Sequence, residues 1–305
     1  MCEAHDIMEL REEKEVHKFL RSIGFSDIRR RDLEMITKDI IKEPDTVKIT
    51  KDSEGNEFAE LTKEFASNAG ITVCGTYGED DRFEMDYYYP FLNGTSLTTQ
   101  ECIDIEKHSE KEAYAGVCDD ARLGVTLIFY LQNTAEYLSE KNLKQTIGSF
   151  NGASLAALSC EGMIILPVEK TEHKIKNSDQ RYTERNKLIA QAREGDEEAI
   201  ENLTIEDMDM YSLLSKRIAK EDILSIVTSY FMPYGIESDE YSILGDILDC
   251  TKEKNSLTNE EMYHMKLNCN DLIFDVCINS RDLTGEPAIG RRFKGNIWMQ
   301  GKINI

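Results

Sequence analysis

Between positions 108 and 122 stand His108, Glu110, Glu112, Asp119, Asp120 and Arg122. Carboxylates gathered near an imidazole and a guanidinium can pass protons or hold a divalent cation through hard oxygen ligands. The same residues flank two alternating, strand-like segments. The simpler reading is therefore two turns rich in solvated charge, with Asp119 and Asp120 accepting from turn amides. A second pair, His264 and Cys277, offers two ligands where a structural zinc wants four at a recognisable spacing, so no metal is expected. Tyr87, Tyr88, Tyr89, Pro90 and Phe91 form an aromatic run. Strand alternation sends Tyr87 and Tyr89 inward and leaves Tyr88 on the other face, where it joins Arg291, Arg292 and Trp298 as a candidate contact surface.

The usual signatures of catalysis are missing. The chain contains no GxxxxGK[ST], no GxGxxG after a strand, no GxSxG and no HExxH. Without such motifs the balance tilts away from an enzyme, catalytic residues are not assigned, and no cofactor is expected.

The 305 residues carry 36 Lys+Arg against 58 Asp+Glu, a formal charge of -22. The acidity is spread along the chain instead of forming one tail. It opposes contact with phosphate backbones and anionic lipid, which disfavours a nucleic-acid partner despite the local Arg291, Arg292 and Lys294. Eight cysteines occur without a CxxC. The first residues, Met1-Cys2-Glu3-Ala4-His5-Asp6, have neither the basic nor the apolar region of an export signal, and no run is long enough to span a bilayer. A cytoplasmic, reduced protein is the expectation, with a protein partner or self-association and no membrane.

The elements that must position these groups follow from periodicity. After a polar tail (residues 1–14), Val16, Phe19, Leu20 and Ile23 have helical spacing and Gly24 stands where a C-cap glycine would. A second helix, capped by Ser26 or Asp27, carries Leu33, Ile36, Ile40 and Ile41 and stops before Pro44. From about Phe58 the period is two. Tyr77 facing Phe83, Val73 facing Tyr87 and Ile71 facing Tyr89 would put the apolar groups of one hairpin on a single face. Further strands are expected at 102–106, 114–118, 123–131, 154–158 and 163–168, the third of them central. Residues 134–142 read as a short helix capped by Asn133.

Residues 171–221 read as a helical connector, with Asp196 capping one helix and Met208 to Ile218 in another. In the last segment Tyr263, Met265, Leu267 and Cys269 alternate with polar residues. Leu272, Phe274, Val276 and Ile278 do the same after Asn270-Asp271. A two-residue type I′ turn pairs Cys269 with Leu272, Leu267 with Phe274, Met265 with Val276 and Tyr263 with Ile278. Strands near 223–230, 241–250 and 293–302 complete a set of five.

The segments Tyr114-Ala115-Gly116-Val117-Cys118-Asp119-Asp120, Leu127 to Asn133, Phe231-Met232-Pro233-Tyr234-Gly235-Ile236-Glu237 and Phe293 to Gly301 resemble a domain-of-unknown-function family of anaerobic Firmicutes proteins of about this length. The resemblance runs from about Val16 to the end. It implies a cytosolic bacterial protein and carries over no catalytic residues.

The reading is an α+β protein: an antiparallel sheet domain with flanking helices (15–170), the connector (171–221), and a small antiparallel barrel or sandwich, OB-like in outline (222–305). Its function is expected to be that of a non-catalytic interaction or regulatory module. The alternative is a binding protein or enzyme for a small molecule or cation, built on the carboxylates near Asp119 and Asp120.

Overall fold

The computed structural model describes residues 16–78, 80–108, 111–143, 149–167, 187–188, 191–192, 195–205 and 223–305. The polar tail, most of the connector and its helix from Met208 to Ile218 lie outside the described residues. The first described element is a 3-10 turn at Lys18–Ile23, closed by Gly24 in the left-handed region at φ 87. Helix α1 (Arg30–Lys42) follows. Neither expected cap serves it: Ser26 bonds to Glu260 and Asp27 pairs with Arg281, so Arg29 occupies the N-cap position and gives no side-chain cap.

Strands β1 (Thr46–Lys51), β2 (Glu57–Ala66), β3 (Ala69–Tyr77) and β4 (Phe83–Leu92) form an antiparallel meander. Tyr77 does face Phe83, but an irregularity between Cys74 and Gly75 shifts the register beyond it. Tyr87 then pairs with Cys74, and Tyr89 with Thr72. The expected single apolar face is thereby corrected. Ile71 and Val73 lie on the side of the 3-10 turn and α1, while Tyr87 and Tyr89 lie on the opposite side. Both faces of the central strands β2 and β3 are covered, and neither has to be polar there.

The remaining strands are β5 (Thr99–Lys107), β6 (Tyr114–Cys118), β7 (Leu127–Leu131), β8 (Phe150–Ile165), β9 (Tyr230–Pro233), β10 (Glu240–Lys254), β11 (Glu261–Cys269), β12 (Leu272–Asn279), β13 (Leu283–Thr284) and β14 (Arg292–Ile303). Helix α2 (Thr134–Leu143) links β7 to β8. The long β8 and β14 pair antiparallel along their length. The free edge of β8 carries β5 antiparallel and β12 parallel; the free edge of β14 carries β10 antiparallel and β7 parallel. Two meanders, β5–β6–β7 and β10–β11–β12, therefore each close a ring of five strands through the same central pair. The pairings obey a pseudo-two-fold relation in which β5, β6, β7 and β8 correspond to β10, β11, β12 and β14.

Small residues make this close pairing possible. Gly162 of β8 stands opposite Gly295 of β14, and the Phe293 ring lies over both. A Cβ at Gly162 would sit 2.4 Å from that ring. Bulk at either glycine would push the ring off the sheet.

The α+β class stands, and it is rich in strand. The last five strands do not close on themselves, however: β8, from the first segment, supplies the missing wall. Two further differences are local. The stretch expected as a strand at 223–230 is a short helix (Ile223–Ile226) followed by β9, and residues 123–126 precede β7 instead of belonging to it. Asp196 does cap a helix, accepting from the amides of Glu198 and Ala199 at 3.0 and 3.3 Å.

The β11–β12 hairpin has the expected register at every pair. Asn270 and Asp271 have φ of 51 and 61, the left-handed pair that a type I′ turn requires. A β-branched residue there is strained, so Asn270→Val should cost about 1–2 kcal/mol. Urea unfolding should show it as a lower midpoint with an unchanged slope.

Candidate functional site

The carboxylates between positions 108 and 122 are held in separate networks. Asp120 is buried; it accepts from Thr99 Oγ1 at 2.9 Å and from the Arg122 amide and Nε at 3.0 and 2.8 Å. Burial alone would raise its pKa, but the bonds from Arg122 outweigh it and hold the carboxyl below the usual aspartate value. Arg122 goes on to the carbonyls of Asp271 and Thr98, at 3.0 and 3.2 Å. Glu112 accepts from Ser53, Tyr114 and Lys107 instead. Asp119 accepts from Thr126 Oγ1 at 2.8 Å, and the His108 amide pairs with the Ala113 carbonyl at 2.8 Å. Glu110 lies outside the described residues. Among the described residues, the bonds of Glu112 and those of Asp120 have no residue in common.

The candidate contact surface is likewise divided. Trp298 is buried, its Nε1 donating to Asp239 at 2.8 Å and its ring stacked on Phe19 at 5.3 Å. Tyr88 lies near it through His17: the Tyr88 hydroxyl accepts the His17 amide at 3.1 Å, and the His17 ring is 4.8 Å from Trp298. Arg292 is only 3% exposed and donates to the carbonyls of Leu166, Leu224 and Val227 at 2.9–3.1 Å. Arg291 remains at the surface, bonding the Glu286 carbonyl at 2.6 Å. Two of the four side chains, Trp298 and Arg292, thus hold the fold and are not displayed.

His264 and Cys277 face each other as the hairpin register requires. The Cys277 thiol is buried and donates to the Ser22 carbonyl at 3.2 Å. His264 lines a small cleft of ≈ 170 Å³ with Asp249, Glu253, Lys266 and Asp275. Its Nδ1 lies 3.7 Å from Glu253, and burial keeps its pKa below the usual imidazole value despite Glu253 and Asp275. Glu253 and Asp275 are already engaged by the amides of Ser67 and Thr95, at 3.0 and 2.7 Å. Among the described residues no group of three His, Cys, Asp or Glu side chains is placed to hold a metal ion.

A buried polar layer between the meander and the larger sheet has no counterpart in the sequence reading. Glu60 on β2 is 3% exposed, and its Oε1 has no hydrogen-bond partner. Burial pushes its carboxyl up to about 7, against the opposing pull of the Ala135 and Thr134 amides and Lys48. Cys74, Tyr87, Tyr89 and Tyr130 surround it, all with pKa values raised by burial. Tyr89 donates to the Gln132 carbonyl at 3.0 Å and Tyr87 to that of Glu112 at 2.6 Å. The available signal was Glu60 itself, a charge between Ala59 and Leu61 in a strand, but the register shift concealed which side chains share its face.

These elements lie almost wholly within residues 20–301, which match a family model described as a domain of unknown function, E. rectale gene description (DUF3881). The chain belongs to the DUF3881 family. No curated protein and no solved structure matches it. The four segments that carry the resemblance to such a family all fall inside the matched span of this DUF3881 chain. In it Asp120 and Arg122 join the β6–β7 connection to the β11–β12 turn, so their pairing spans both rings.

Asp120→Asn should destabilise the protein by roughly 2–3 kcal/mol at neutral pH, since charge-assisted bonds to Arg122 are lost. Because the native pKa of Asp120 is depressed, its contribution is present above the unfolded value and lost as pH falls through the native one. Denaturant curves of both proteins should therefore begin to approach each other below about pH 4 and converge only once the pH lies below the depressed native value.

Proposed function

We propose that this DUF3881 chain is a non-catalytic cytoplasmic interaction module, and that its contact face is an apolar cleft beside β10. The observation that carries this reading is a set of aliphatic side chains held outward on a pinned backbone. A register shift between Ile247 and Asp249 leaves Leu248 outside the β10–β11 pairing, 40% exposed. Ile289 stands next to it, 71% exposed, on the loop before β14. Leu248 and Ile289 line a mainly apolar cleft of ≈ 340 Å³ with Pro167 and Thr228, and Asp246 and Arg292 also border it. Bulges re-aim side chains in this way and are common where strands meet partners.

The loop is fastened to the bulge by backbone bonds. Gly290 donates to the Ile247 carbonyl at 2.9 Å, and Ile247 donates to that of Arg291 at 2.8 Å. A contact face fixed beforehand loses little conformational entropy on binding. The matching partner is a protein presenting an aliphatic or aromatic anchor with basic flanks, complementary to a chain of net charge -22.

The test uses immobilised wild-type protein and a Leu248→Asp/Ile289→Asp double variant, exposed to the same bacterial lysate at moderate salt. A defined partner set should be retained by the wild type and depleted at least about tenfold by the variant, a loss of some 1.4 kcal/mol. The variant's melting temperature should be unchanged. Equal retention by both proteins would refute the assignment of the face, and light scattering on the free protein separates a partner from self-association.

A further inference from the structure

The buried layer around Glu60 has an arrangement that the docking of a rigid module does not need. Glu60 stands mid-strand on β2, between Lys48 of β1 and Cys74 of β3 in register. The first turn of α2 lies over it, with the amides of Thr134 and Ala135 directed at the carboxyl. Beyond that turn α2 buries Tyr137 and Leu138, with the Tyr137 ring against Tyr114 and Phe150, and its polar contacts to the meander lie near solvent: Lys48 to Glu136 at 2.6 Å, Ser139 to Thr50 at 2.9 Å, and Asn142 to the Lys51 carbonyl at 2.8 Å. An open cleft of ≈ 380 Å³, lined by Lys48, Ala135, Glu136 and Ser139, runs along this same seam.

We propose that Glu60 is a proton-operated latch for α2: the neutral acid lets the helix seat on the meander, and the carboxylate loosens it by drawing water in along the seam. The helix amides favour a negative charge at this position. Still, Oε1 has no donor, and an ionised oxygen enclosed without one is costly in a low-dielectric layer. Water reaching Oε1 through the adjacent cleft would satisfy it, and that requires the first turn of α2 to lift.

The groups facing Glu60 divide as follows. Lys48 on β1 draws it toward the anion, and Glu136 on α2 opposes this. Lys302 on β14, itself depressed by burial, interacts with both Glu60 and Glu136. Cys74 on β3, Tyr87 and Tyr89 on β4, and Tyr130 on β7 are all raised by burial and stay neutral at physiological pH. The balance leaves Glu60 titrating at about 7, so the latch is closed below neutrality and released above it.

Amide hydrogen exchange on residues 134–143 and 46–51 at pH 6 and pH 8, corrected for intrinsic exchange, tests the proposal. Protection of the wild type should drop at least tenfold toward pH 8, whereas Glu60→Gln should stay protected at both values. Loss of protection with the same pH profile in Glu60→Gln, or none in the wild type, would overturn it. Should that variant fail to fold, infrared difference spectra of the wild type decide the matter. A buried carboxylic acid band that disappears between pH 6 and 8, together with the α2 protection, supports the latch. An acid already ionised at pH 6 refutes it.

Discussion

The antiparallel pairing of β8 with β14 is the constraint on which the rest of the structure depends. Each of these strands is bonded on both edges, so every meander in the larger sheet ends on one or the other. Close approach is permitted by small residues such as Ala156, Ala157, Gly162 and Gly295, and the Phe293 ring fills the space the two glycines leave. Small barrels normally close with strands from one continuous segment. Here each ring borrows a wall from the other half, and neither meander has a finished hydrogen-bond network alone. A strand that must come from far along the chain makes closure a non-local event, with the slower assembly that such topologies entail.

Local chemistry was legible and long-range partnership was not. The β11–β12 hairpin could be read to the residue because an Asn-Asp turn fixes register, and because one face of that ribbon is continuously apolar. The Gly24 cap was legible for the same kind of reason. The first hairpin misled because Gly75, a glycine inside a strand, marks the register shift beside Cys74 but does not say which partner residue is skipped. Strand β1 carried too few apolar residues to be noticed at all. That β8 would sit between β12 and β14 could not be inferred from alternation, since pairing partners leave no trace in periodicity.

The same limit governed the functional residues. Clustering in sequence suggested a site at 108–122, but strands direct neighbouring side chains to opposite faces, and turns scatter the rest. Asp119, Asp120 and Glu112 each found a different donor, in Thr126, Thr99 and Tyr114. The groups that do converge, Glu60 with Cys74, Tyr87, Tyr89 and Tyr130, come from β2, β3, β4 and β7, separated by up to seventy positions. Only the stacking of the meander against the larger sheet assembles them. Trp298 and Arg292 illustrate the converse: types often met at contact surfaces are here spent on the interior.

Arg292 has a wider meaning for how this chain is put together. Its guanidinium donates to the carbonyls of Leu166, just past β8, and of Leu224 and Val227, ahead of β9. The backbone thus departs and returns at a single anchored point, like a bight of rope cinched by one knot. The entropic part of closing a loop between two such points grows only as the logarithm of its number of residues. On that entropic count a change of loop length weighs little on the paired strands, because the tie is made by residues on either side of it.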